Sequence, residues 1–143
     1  MRSLLVAAVA SLLLSPATAV AACNGIGSTA LAFGNYDVFA ALPDDTAGSL
    51  TYNCTTPPGV TFSTSNNGAS NPRQMVRLFG GAGADVLRYD IYVDAARTQT
   101  WSATTPVVLP TGAQTISYFG RAFAGQDIQT GFYFDFITIT LNF

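Results

Sequence analysis

The final twelve residues, Phe132 to Phe143, are dominated by a period-two alternation. Ile137, Ile139, Leu141 and Phe143 fall on one face of an extended chain, and Thr138, Thr140 and Asn142 on the other. Carried backwards, the pattern puts Asp135 on the first face and Phe132, Phe134 and Phe136 on the second. No turn and no further strand follow in the sequence. A half-apolar strand must bury one face, and an edge without a partner exposes a row of unpaired amides and carbonyls. The expectation is therefore a β domain with one open edge, completed by a strand from another chain.

The N-terminus sets the compartment. Arg2 precedes an apolar run from Leu4 to Leu14, and Ser15 to Ala19 are small residues. This is the layout of a secretory signal peptide, assigned to residues 1–22, and the run is too short for a membrane span. Cleavage after Ala19 and cleavage after Ala21 both fit. Val20-Ala21-Ala22-Cys23 also fits a lipoprotein box, which would acylate Cys23. The two cysteines of the chain, Cys23 and Cys54, read as one disulfide in an exported protein. Acylation at Cys23 and two free thiols are the competing readings.

Residues 23–143 then form one domain, long enough for a core of its own. Charged residues make up 10% of the chain, against about a quarter in an ordinary domain. There is no Lys, His or Glu. No helical period persists after the leader. Short alternating runs are punctuated by Gly, Pro, Asn and Asp: Ala30 to Phe33, Leu50 to Cys54, Val60 to Phe62, Gln74 to Phe79, Val86 to Val93, and Thr115 to Phe123 with an interruption at Gly120. Asn66-Asn67-Gly68 and Gly80 to Gly83 read as connections. Strands at this spacing predict an all-β antiparallel sandwich.

The same composition excludes most chemistry. Without His, Lys or Glu there is no ordinary general base near neutral pH, so no catalytic residue is assigned. No cofactor and no metal site are expected, because Asp85, Asp90 and Asp94 do not converge from one ligand loop. A basic nucleic-acid footprint is absent. Asp44-Asp45 reads as a solvated turn, Arg88 as a partner for Asp90 or Asp94, and Trp101 as a core residue.

Four blocks carry a family resemblance. The first is Cys23 with Leu31-Ala32-Phe33-Gly34-Asn35-Tyr36-Asp37. The second is Leu50-Thr51-Tyr52-Asn53-Cys54. The third runs from Leu87 through Asp94 and Arg97 to Trp101. The fourth is Tyr118-Phe119-Gly120-Arg121, then Gly125-Gln126, then Gly131 to Asp135 and the closing strand. In this order the chain resembles the spore coat protein U domain, the pilin-type domain of archaic chaperone–usher fimbriae. The resemblance implies an immunoglobulin-like sandwich lacking its last strand. Its implied partners are a periplasmic chaperone, an outer-membrane usher and neighbouring pilin subunits, and its implied location is the cell surface after passage through the periplasm. Ile137, Ile139, Leu141 and Phe143 are the residues placed beside the acceptor groove.

Two departures refine the expectation. A subunit that donates a strand needs roughly ten alternating residues before its first cysteine, at ~3.3 Å each. Cleavage leaves at most three residues ahead of Cys23, which suggests an accepting subunit at a fibre tip or a surface-coat component. Where the family favours small polar residues, this chain has Phe132, Phe134 and Phe136. Exposed, they would form an apolar adhesive stripe. The alternative function is thus a self-contained surface-binding module for carbohydrate or apolar surfaces.

Overall fold

The computed structural model of the protein describes residues 20–64, 71–80 and 84–143. The expected signal peptide up to Ala19, the Asn66-Asn67-Gly68 turn and Gly81 to Gly83 lie outside the described residues. Among the described residues there are nine strands and no helix. They are β1 (Cys23–Ser28), β2 (Asp44–Cys54), β3 (Gly59–Thr64), β4 (Arg73–Arg77), β5 (Val86–Tyr92), β6 (Val107–Val108), β7 (Gly112–Ala122), β8 (Tyr133–Phe134) and β9 (Ile137–Asn142). One sheet has the order β1-β2-β7-β5-β4-β8 and the other β6-β3-β9. Each strand pairing in both sheets is antiparallel.

Alternation explains most of the core. Leu50, Tyr52 and Cys54 of β2 point inward with Val60 and Phe62 of β3 and Leu87, Tyr89 and Ile91 of β5. Trp101 is fully buried in the connection after β5 and stacks at a tilt on Phe62, 4.6 Å between centroids. Its indole N–H donates to the Val60 carbonyl, and its backbone N–H to the Ile91 carbonyl. The residue therefore fastens one sheet to the other. The Cys23–Cys54 disulfide forms between register partners of β1 and β2, closing a separation of 31 residues. Cross-linking a loop of that length contributes roughly 3.5–4 kcal/mol on the chain-entropy view.

Four expectations need correction. The last twelve residues do not make one strand. Tyr133 and Phe134 pair with β4 in the large sheet, whereas Ile137 to Asn142 pair with β3 in the small one. The chain crosses between layers at Asp135 and Phe136, so Phe132, Phe134 and Phe136 do not share one strand face. Gly120 does not interrupt its strand either, since β7 continues through it to Ala122. A Cβ there would lie 2.9 Å from both Leu31 and Phe33, so glycine admits those side chains onto the sheet. Asp44 and Asp45 open β2 rather than forming a turn. Asp45 binds Arg121 through two contacts of 2.8 Å and Arg97 at 3.1 Å, and these arginines hold its carboxyl below the usual range, chiefly through the Arg121 hydrogen bond. Finally, Asp90 pairs with Arg73 and not with Arg88, because the β4–β5 register brings Arg73 opposite Tyr89.

Candidate functional site

The most developed concavity lies along the layer crossing. Two hollows run end to end between the 31–39 segment and the 128–137 segment. The larger, about 630 Å³, is walled by residues of 31–39 on one side and of 128–133 on the other. The smaller, about 150 Å³, lies against Phe134, Asp135 and Ile137. Leu31, Phe33, Met75 and Tyr133 line both, so the hollows form one trough. The buried side chains of Met75, Leu87 and Tyr89 make its floor.

Local chemistry anchors each bank to the sheet beneath it. Leu31 and Phe33 rest over Gly120, and the Phe33 ring meets Tyr89 edge-on at 5.8 Å. The Tyr36 hydroxyl ties the first bank to the segment after β7. It donates to the Phe123 carbonyl at 2.7 Å and accepts from the Gln126 N–H at 2.9 Å. The Gln126 side chain in turn exchanges two bonds with the Arg88 backbone, at 2.7 and 2.9 Å. On the second bank, Tyr133 donates to the Gln129 carbonyl and Arg77 donates to the Gln129 side chain.

Backbone pairing is incomplete along the first bank and along β9, which meets the trough at Ile137. β9 is an edge strand, bonded to β3 on one side only among the described residues. Ala30 to Phe33, expected as a strand, belongs to no ladder among them. Its alternation survives without a partner: Leu31 and Phe33 are half-buried, while Ala32 is exposed. Such an alternating bank beside an open edge is the geometry that an added strand satisfies.

The predicted site residues are placed unevenly. Ile137, Ile139 and Leu141 are half-buried and pack on the core, with Thr138, Thr140 and Asn142 turned outward. Ile137 lines the smaller hollow, and Ile139 and Leu141 lie beyond both. Phe143 sits past the end of β9 and is 54% exposed. Phe132 and Phe136 are exposed at 83% and 69%, whereas Phe134 is half-buried with its ring edge against Phe136 at 5.6 Å. Sequence reasoning missed Phe79, which is 96% exposed at a left-handed φ of 60°. It follows Leu78, whose N–H bonds the Phe132 carbonyl. It also passed over the floor residues as part of a site, and it placed Asp135 inward without its partner: the carboxylate accepts the Tyr89 hydroxyl at 2.9 Å. No cluster of three or more potential metal ligands occurs among the described residues.

Two antiparallel sheets packed face to face, with an open edge at the last strand, define the class: an immunoglobulin-like β-sandwich. The chain belongs to the Spore Coat Protein U domain family, whose sequence profile matches residues 8–140. That match begins within the segment expected as a signal peptide. No curated protein matches the sequence. Among solved structures, the chain is similar to the CsuC–CsuE chaperone–tip adhesion subunit pre-assembly complex from the archaic chaperone–usher Csu pili of Acinetobacter baumannii. The TM-score is 0.60 at 20% identity, covering 87% of this chain and 40% of that one. The chain thus spans less than half the length of that neighbour, and the likeness establishes the fold.

Proposed function

We propose that the protein is a non-enzymatic subunit of a secreted surface fibre, built by strand addition in trans. A periplasmic chaperone lends a strand to the trough, and at an outer-membrane usher a neighbouring subunit replaces it. The observation that carries this reading is the two-sided vacancy. The outer edge of β9, which meets the trough at Ile137, and the alternating Leu31–Phe33 bank both lack a ladder partner among the described residues. Family membership and the chaperone–usher neighbour support it. The finer form, a terminal place in the fibre, draws on the short segment expected ahead of Cys23 and on that neighbour's being a complex of a chaperone with a tip adhesion subunit. The test is complementation. The chain lacking its leader should be recovered poorly alone and well with a strand-length peptide of alternating Val and Thr. Equal recovery and equal thermal stability with and without peptide would count against the proposal.

A second reading is an adhesive module. It draws on the exposed rings of Phe79, Phe132 and Phe136, with Phe79 and Phe132 carried on adjacent backbone. Exposed aromatic rings of this kind, where they cluster, mark contact sites. Replacing Phe79 by Asn, which tolerates its left-handed backbone, and Phe132 and Phe136 by Thr should reduce retention on a hydrophobic resin about tenfold while the far-ultraviolet spectrum is unchanged. Unaltered retention would remove this surface from consideration.

A further inference from the structure

The larger hollow lies away from the edge that receives a strand. None of the residues lining it belongs to β9, so a strand laid along that edge has no ladder to follow into it. Its volume, about 630 Å³, suits a small ligand. Its depth is apolar, formed by the buried Met75 and Leu87 and the half-buried Leu31. Its mouth carries one exposed ring from each bank, Phe39 at 93% and Phe132 at 83% exposure. Polar capacity is confined to a few groups. The Tyr36 and Tyr133 hydroxyls are committed to protein carbonyls. Asp37 accepts the Phe39 N–H on one carboxylate oxygen. The Asn35 amide and the Thr130 hydroxyl, one on each bank, bond no other group among the described residues. Around them stand the carboxylates of Asp37 and Asp85, the latter holding the Gln129 N–H, and one guanidinium, Arg77, which is bonded to the Gln129 side chain.

We propose that the larger hollow binds a neutral N-acetylated amino sugar. The inference deepens the adhesive reading by naming a ligand, and it does not depend on strand acceptance. A sugar ring has an apolar C–H face and a rim of hydroxyls, so it packs on Phe39 or Phe132 while its hydroxyls stay hydrated. Its acetyl methyl reaches the floor of Met75 and Leu87, where burial is favourable. The acetamido N–H and carbonyl meet Asn35 and Thr130, which between them supply donors and acceptors. A purely aliphatic ligand would strip water from those two groups and return no hydrogen bond. A carboxylated sugar would bring a further negative charge to Asp37 and Asp85, with the one guanidinium already engaged.

The experiment is saturation-transfer NMR with tri-N-acetylchitotriose on the chain lacking its leader, with the Val/Thr peptide present if the chain requires it. The acetyl methyls should receive the strongest saturation, with half-saturation at roughly 1 mM. Phe132→Thr and Asn35→Ala should each weaken binding about fivefold. Phe136→Thr, an exposed ring that lines neither hollow, should leave it unchanged. Maltotriose, which lacks the acetamido group, should bind about fivefold more weakly, and trigalacturonate more weakly still. No saturation transfer at about 10 mM chitotriose, or equal binding of all three sugars, would overturn the proposal. A loss in Phe136→Thr as large as that in Phe132→Thr would place binding outside the hollow and overturn it equally. The adhesive reading itself fails separately, on unaltered resin retention of the triple phenylalanine variant.

Discussion

Ile139→Asp is expected to abolish capture of a partner strand, while Thr140→Asp, one residue further, leaves it within about twofold. Both substitutions lie in β9, on the strand whose outer edge is open. Ile139 pairs with Phe62 across the sheet and packs against the core; Thr140 faces solvent. A strand laid along β9 covers the Ile139 side and completes its burial. A carboxylate under that strand loses its water without a hydrogen-bond donor, at about 3 kcal/mol or more, which is a hundredfold or more in affinity. At Thr140 the same carboxylate stays hydrated. Pull-down of the chain with its chaperone reads the difference, and native-gel mobility shows whether each variant is folded. Equal loss from both substitutions would mean that β9 does not offer one specific face.

Removing the Arg73 guanidinium should produce the largest loss of stability from a single side chain. Arg73 is 1% exposed. Its Nη1 donates to Asp90 at 2.7 Å, and its Nη2 to the carbonyls of Phe62 at 2.9 Å and Trp101 at 2.5 Å. Phe62 belongs to the small sheet and Asp90 to the large one, so one side chain spans the sandwich. Burial works to raise the Asp90 pKa, against the opposing pull of Arg73. Arg73→Met takes the cation from the Asp90 carboxylate and the donor from two carbonyls, and loss of one partner of a buried pair costs about 3–5 kcal/mol. With a urea slope near ~1–3 kcal/mol/M, the unfolding midpoint of the peptide-bound chain should fall by about 2 M. Arg73→Met with Asp90→Leu should recover much of the loss, because no charge is then stranded. A midpoint that moves by only a few tenths of a molar would show that the pair carries little of the sandwich's stability.

The distribution of legible and illegible features has a physical basis. Period-two runs revealed β2, β3 and β5, because each buries one side against the opposite sheet. They also placed Ile137, Ile139 and Leu141 on one face. The disulfide and buried Trp101 followed from compartment and from size. What escaped was whatever depends on the third dimension. A local pattern continues unchanged through Asp135 and Phe136, although the chain changes sheets there, since an extended residue looks alike in either layer. Gly120 reads as a break until Leu31 and Phe33 are seen to fill its missing side chain. The ion pairs Arg73–Asp90 and Arg121–Asp45 join residues 17 and 76 positions apart, a choice among many that composition does not rank. Alternation places Asp135 on the inward face, but the fold is needed to bring the Tyr89 hydroxyl to it.

Amide hydrogen exchange across β9 tests the central claim most directly. In an antiparallel edge strand, alternate N–H groups point away from the sheet. In the chain alone, the outward half of the Ile137–Asn142 amides should exchange at close to unprotected rates, and the half bonded to β3 should exchange slowly. Adding the Val/Thr peptide should slow the outward half at least a hundredfold, residue by residue in alternation. Uniform protection of β9 before any peptide is added, or an outward half that stays fast at saturating peptide, would contradict strand completion in trans.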